Sequence, residues 1–291
     1  QRDEAARLDM NRAALTQQER AAADRLAIAR QTASQELADR QDIVTQDQRV
    51  WIAGMSDEGG GGAWVAATMK QLDNPDAGEV AKLERMVDET VLTKLQSPDG
   101  GVKKSLFYYD PKAFASYYDK GIDWSTWASW DRKQADDLGR SYNYPHVAAA
   151  HWVFYRLALH YPHLVSEESW DTYLDRAYET SVAMVEKAPH YAQYGQMEGS
   201  IFLIILQDLQ REGKTREAAK LESLMRERAE HWRTLNYPFG SEMPWDSTGQ
   251  EEVYMWSDYF GFDDKATVTL NAILAYMPTV PHWGYNGSAR R

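Results

Sequence analysis

Apolar positions recur every three or four residues through most of the chain, the spacing that lines one face of a helix, and no stretch alternates with the period of two that marks a half-buried strand. Leu26, Ala29, Ala33 and Leu37 keep this spacing within an Ala-, Gln- and Arg-rich run over 1–49 that holds neither glycine nor proline. A long helical segment with a thin, mostly alanine stripe is predicted there. A glycine-rich loop, GMSDEGGGGAW (Gly54–Trp64), then leads to a short helix ending near Leu72. Past the turn at NPDAGEV, a second helix carries Val80, Leu83, Met86, Val87, Val91 and Leu95. Periodicity fades between Gln96 and Tyr144 and returns at Pro145–Pro162. Further helices are expected over Glu168–Lys187, Pro189–Glu212 with Gly213 as its stop, Lys214–Leu235, Gly249–Tyr259 and Lys265–Tyr276.

About ten helices with short connections on one side and long aromatic loops on the other predict an all-α chain of stacked antiparallel hairpins, with an α/α toroid as the leading architecture. A closed barrel of six hairpins needs about twelve helices at roughly 30 residues per helix plus loop, so the chain supplies most of such a domain and not all of it. Two parts are expected: the Ala/Gln-rich segment 1–49 and the toroid over 50–291, truncated at its C-terminal end. The chain starts at Gln1 without a signal-peptide pattern and stops at Arg291 just after the turn-rich PHWGYNGSARR, so a processed product or fragment is expected, its partner being the remainder of its own longer chain.

Composition narrows the function. The 291 residues are 43% hydrophobic and 26% charged, an ordinary globular balance. A net charge of −12 with no basic block argues against nucleic acid and anionic membranes as partners and leaves neutral ones easier to accommodate. There is no cysteine, which removes disulfides, thiolate nucleophiles and Cys-ligated zinc. The longest apolar run, IFLIIL (Ile201–Leu206), falls far short of the roughly 20 residues that span a bilayer. Tyrosine (17) and tryptophan (11) greatly outnumber phenylalanine (7), which favours surfaces wet on one side, as in sugar-binding clefts.

Four clusters carry chemistry. In HYAQYGQMEGSIF (His190–Phe202), Tyr191, Tyr194, Glu198 and Ile201 lie three or four residues apart and are expected to share one helix face, which takes Glu198 into a core-like environment suited to a general acid. The competing reading is a Glu paired with an Arg or bonded to a Tyr. Gly199 beside it leaves room for a close approach or for helix packing. The stretch SEMPWDSTGQEEVYMWSDYFGFDD (Ser241–Asp264) holds seven carboxylates. Thr248 with Glu251 matches a capping box, so Trp245, Asp246 and Glu252 remain as candidates for binding and catalysis. In GRSYNYPHVAAAHW, Arg140, Tyr142, Asn143 and His146 gather where a loop enters a helix; these types serve lyase chemistry, sugar binding or simple capping. His146 and His151 are five apart, wrong for a paired metal site on one helix face, so no metal and no cofactor are expected. Nine aromatics between Phe107 and Trp130 either stack on sugars or pack a long loop, and Trp283 offers another stacking face. SDEGGGG lacks the Lys of a phosphate-binding loop; Asp57 at its rim is a plausible ligand contact.

Together SDEGG, KKSLFYYD, SYNYPH, QMEGSIF, WDSTGQEEVYMWSDYFG and PHWGYNGSARR resemble a family of large secreted-type bacterial and fungal proteins of unassigned function. The resemblance covers roughly residues 50–291. It implies a helical toroid of the six-hairpin glycosidase kind and a carbohydrate context, acting in an extracellular or periplasmic compartment, and it carries over no catalytic residue. The leading expectation is a glycoside hydrolase with Glu198 as proton donor and Asp246 or Glu252 as base, and with Tyr142, Asn143, His146, Tyr194, Trp245, Trp283 and Asp57 contacting a neutral poly- or oligosaccharide. The alternatives are a polysaccharide lyase using Tyr142, Asn143, His146 and Arg140, and a non-catalytic carbohydrate-binding helical domain.

Overall fold

A computed structural model of the chain describes residues 61–106, 108, 110, 112–113, 130–237 and 249–276. The expected helix over 1–49, and Asp57, Trp245, Asp246 and Trp283, lie outside these residues.

The fold is all-α. Helix α1 (Gly61–Asp73) is followed by α2 (Ala77–Met86), whose N-cap Asp76 accepts a hydrogen bond from the Glu79 backbone at 2.9 Å. The chain runs on from α2 as a π-helix over Val87–Leu95, closed by the Gln96 N–H on the Val91 carbonyl at 2.8 Å, five residues back. The wider π turn keeps Val87, Val91 and Leu95, each four residues from the next, fully buried on one face. A tight reversal follows, with a bridge between Gln96 and Val102. Gly100 stands in it at φ 79°, and a Cβ there would lie 2.6 Å from the Glu179 carbonyl, so only glycine fits.

A single turn, α3 (Arg132–Ala135), and a 3₁₀ turn (Ser141–Asn143) lead into α4 (Tyr144–His160), with proline in its first turn as expected. Next come α5 (Trp170–Lys187), the single turn α6 (Pro189–Ala192), α7 (Ile201–Arg211), α8 (Thr215–Thr234), α9 (Gln250–Tyr259) and α10 (Asp263–Tyr276). Gly213 (φ 74°) ends α7 as the sequence predicts: the Lys214 N–H reaches the Leu209 carbonyl at 2.8 Å and the Gly213 N–H the Gln210 carbonyl at 3.2 Å.

Two expectations need correcting. The helix expected over Pro189–Glu212 is interrupted, because residues 193–200 form turns between α6 and α7. The N-cap of α9 is Gly249 at φ 86°, with no side-chain capping bond, in place of a Thr248–Glu251 capping box.

Helix α4 is the centre of the core. Its Ala148–Ala150 run and its buried Val147, Val153, Phe154 and Leu157 let α1, α5 and α7 pack around it. Helix α5 also meets α7 and α8, α8 meets α7 and α9, and α9 folds back on α10. The short connections make α4/α5, α7/α8 and α9/α10 hairpins. The N-terminal ends of α1, α4, α7 and α9 are brought together at one end of this stack, where the side chains described next meet.

Candidate active site

Glu198 stands between α6 and α7 at φ 59°, the one non-glycine residue at positive φ among those described. A left-handed non-glycine backbone costs of order 1 kcal/mol or more and persists where its surroundings over-determine it. Its carboxylate reaches the starts of two other helices. Oε2 lies 3.6 Å from Nε2 of His146 in the first turn of α4, and a Cβ placed on Gly62 at the start of α1 would lie 3.6 Å from Oε1. His146 is 1% exposed and the Glu198 side chain 34%, so the pair has one member in the core and one at the surface. The shared helix face of Tyr191, Tyr194, Glu198 and Ile201 does not form, since the helix breaks; the carboxylate is presented by a turn instead.

The turn before α4 and the single turn α6 bring aromatic and polar groups against one another. The Tyr142 ring lies 5.6 Å from that of Tyr191, which His190 meets edge-on at 4.7 Å. The Arg140 guanidinium lies 5.7 Å from the Tyr142 ring. Tyr191, Tyr194 and Tyr142 are all partly exposed. Asn143 turns the other way: it is fully buried, and its amide donates to the carbonyls of Lys103 at 2.9 Å and Lys104 at 3.0 Å, tying the preceding loop to the start of α4.

Glu252, in the first turn of α9, lies beneath the Glu198 turn and is fully buried. Arg228 of α8, itself 5% exposed, grips it through both terminal nitrogens, Nη1 on Oε1 and Nη2 on Oε2. Trp256 Nε1 donates to Oε1 at 3.2 Å and the Gln196 backbone N–H to Oε2 at 2.6 Å. Four donors fill about four lone-pair positions, leaving none for a substrate proton or an attacking water. Sequence reasoning passed over Arg228, Trp232 and Gln196, which hold the turn from below. Arg228 Nε donates to the Ala192 carbonyl at 2.7 Å and Nη2 to that of Tyr194 at 2.9 Å; Trp232 Nε1 donates to that of Gln193 at 2.7 Å. The Gln196 amide donates to the carbonyls of Tyr191 and Tyr194. The space left by Gly199 is occupied by Glu252 itself: a Cβ on Gly199 would fall 2.5 Å from Glu252 Cδ.

Residues 35–291 match the model of a family described as "Family of unknown function (DUF5695)". The chain belongs to this family. Its membership agrees with the motif resemblance but begins at residue 35, within the Ala/Gln-rich segment. No curated protein sequence matches the chain. Among solved structures, a polysaccharide lyase is similar at a TM-score of 0.47 and 17% identity, over 75% of this chain and 26% of the lyase. The chain thus spans about a quarter of that protein's length.

In this member of the family, Glu198 is a one-third-exposed glutamate with a left-handed backbone, one of its oxygens turned inward to a buried imidazole. Among the described residues no group of three or more His, Cys, Asp or Glu side chains is placed to hold a metal ion, and no helix is long and apolar enough to cross a membrane.

Proposed function

We propose that the chain is part of a carbohydrate-active enzyme, a glycoside hydrolase built on an α/α toroid, in which Glu198 donates the proton to the glycosidic oxygen and Asp246 acts as the base. One observation carries the reading: a left-handed, one-third-exposed glutamate stands beside His146 where α1, α4 and α7 begin. Strain of this kind collects at sites of chemistry, where the reacting group must be held before the substrate arrives. The partly exposed Tyr191 and Tyr194 are of the residue type that offers an apolar face with a polar edge, suited to a neutral sugar. Trp245, Trp283 and Asp57 are assigned to further sugar contacts, and the setting to an extracellular or periplasmic one. Asp246, six residues before Glu252 in the chain, takes the base role because Glu252 has its oxygens filled.

The test is a panel of poly- and oligosaccharides incubated with the full-length protein in oxygen-labelled water. Hydrolysis puts one labelled oxygen into each new reducing end, and Glu198→Gln is expected to lower kcat by ~10²–10⁴-fold, as removal of a general acid does. A lyase reading is favoured by Tyr142, His146 and Arg140 sharing the entry to α4. That chemistry gives unsaturated, ultraviolet-absorbing ends without label, and such products would overturn the hydrolase assignment. Glycan binding without any product, retained when Glu198 and Asp246 are both made Ala, would overturn catalysis altogether.

A further inference from the structure

We propose that the buried Arg228–Glu252 pair is a positioning device that sets the left-handed conformation of Glu198 and so the place of its carboxylate beside His146. The inference rests on the assignment of Glu198 as the reacting group, but the structural half of it is testable alone.

Residues 189–211 have the composition of one helix, and a continuous helix would carry Glu198 on its flank. Instead the backbone groups that such a helix would satisfy are claimed from outside. Arg228 takes the carbonyls of Ala192 and Tyr194, Trp232 that of Gln193, and Glu252 the N–H of Gln196. These atoms fall to the two sides of the pair: three carbonyls at the start of the turn, Ala192 to Tyr194, are held by α8, and one amide further along it by α9. The two sides are joined by the bidentate contact of Arg228 with Glu252. Glu252 also fills the hollow over Gly199, the residue next to Glu198. Glu198 is therefore flanked at Gln196 and Gly199 by the same carboxylate, which leaves the turn little freedom to relax to a right-handed φ. Burial makes the device stiff, because a charge at 5% or lower exposure that loses its partner has no water to turn to. The cost of breaking it falls on the turn it holds.

The experiment uses the full-length protein and its variants Glu252→Gln and Arg228→Lys, each alone and each combined with Glu198→Gln. Glu252→Gln keeps an acceptor for the Gln196 N–H but loses the ion pair; Arg228→Lys keeps the charge but loses the two-pronged grip. Amide hydrogen exchange is followed in residues 193–201, with α4 and α5 as the internal standard for intact fold. Exchange in the turn is expected to rise by about tenfold or more in both variants while α4 and α5 stay protected. Turnover should fall by about tenfold in kcat with KM within about twofold, and this loss should shrink to less than about twofold in the Glu198→Gln background, because a device acting through Glu198 has nothing left to position. Unchanged exchange in the turn in both variants would overturn the proposal whatever the activity. A loosened turn with unchanged kcat, or an equal loss in both backgrounds, would overturn the positioning role. If Glu198→Gln alone leaves turnover intact, the functional reading fails, and the exchange data still decide whether the pair holds the turn.

Discussion

Replacing His151 by glutamine should flatten the acid side of the stability profile. His151 is fully buried in α4, with Nε2 2.8 Å from Gln96 Oε1, and Gln96 in turn donates to Thr180 at 2.6 Å. Burial, and then the positive charge of Arg176, push its pKa from 6.5 down to about 3. The unfolded chain therefore takes up a proton near pH 6.5 that the folded chain refuses until about pH 3. Stability is fully present above that window and is lost as the pH falls through it, at ~1.4 kcal/mol per pH unit. Between pH 6.5 and about pH 5 the loss amounts to about 2 kcal/mol. Glutamine does not titrate and keeps an amide donor for Gln96, so His151→Gln should lose about 2 kcal/mol less than the parent over that interval. The assay is denaturant unfolding of both proteins at about pH 7.5 and about pH 5, read as the difference of differences so that groups common to both cancel. Parallel losses in the two proteins, or an NMR titration of the His151 ring with a midpoint near its ordinary 6.5, would refute the reasoning.

Two other perturbations follow from the same kind of argument. Burial first, then the negative charges of Glu84, Glu167 and Glu168, raise the Asp88 carboxyl to about 6, so the folded chain binds a proton before the unfolded one does and stability falls as the pH rises through about 6. Asp88→Asn should raise Tm at neutral pH, with the advantage vanishing below the ordinary Asp value of 3.8; an advantage that persists there would refute the assignment. Asn143→Ala strips the Lys103 and Lys104 carbonyls of a part-buried donor and should cost about 1–2 kcal/mol in thermal unfolding with KM unchanged, whereas a raised KM at unaltered stability would return Asn143 to the substrate.

The helices were legible because their stripes are long and their stops are explicit: α5, α8 and the Gly213 turn fall where apolar spacing and glycine place them. The break between α6 and α7 was not. Nothing local in QYGQMEGS forbids a helix strongly enough, and what opens it is a set of donors and an acceptor from α8 and α9, dozens of residues away. A signal for that set does exist. Arg228 sits on the buried stripe of α8 with Leu221, Leu224, Met225 and Trp232, and an arginine on an apolar face requires a buried acceptor. Glu252 sits likewise beside Val253 and Trp256 on the buried side of α9. Two opposite charges on two apolar stripes could have been matched from the sequence, but only by asking of each which partner its burial demands.

That pairing also explains why two glutamates at the same end of the helix stack have different work. Helix N-termini favour negative charge, and the starts of α1, α4, α7 and α9 meet where Glu198 and Glu252 stand. The field alone does not distinguish them; burial does. Glu252 is enclosed, so its charge is tolerated only with Arg228, Trp256 and the Gln196 amide around it, and its chemistry is used up in holding the turn. Glu198 is held on that turn at one-third exposure, with an oxygen toward His146. A fold of hairpins brings alternate helix starts to one end, and the buried carboxylate there fixes the backbone of the accessible one. Losing the first should then be felt as a displacement of the second, which separates this arrangement from a pair of carboxylates sharing the chemistry.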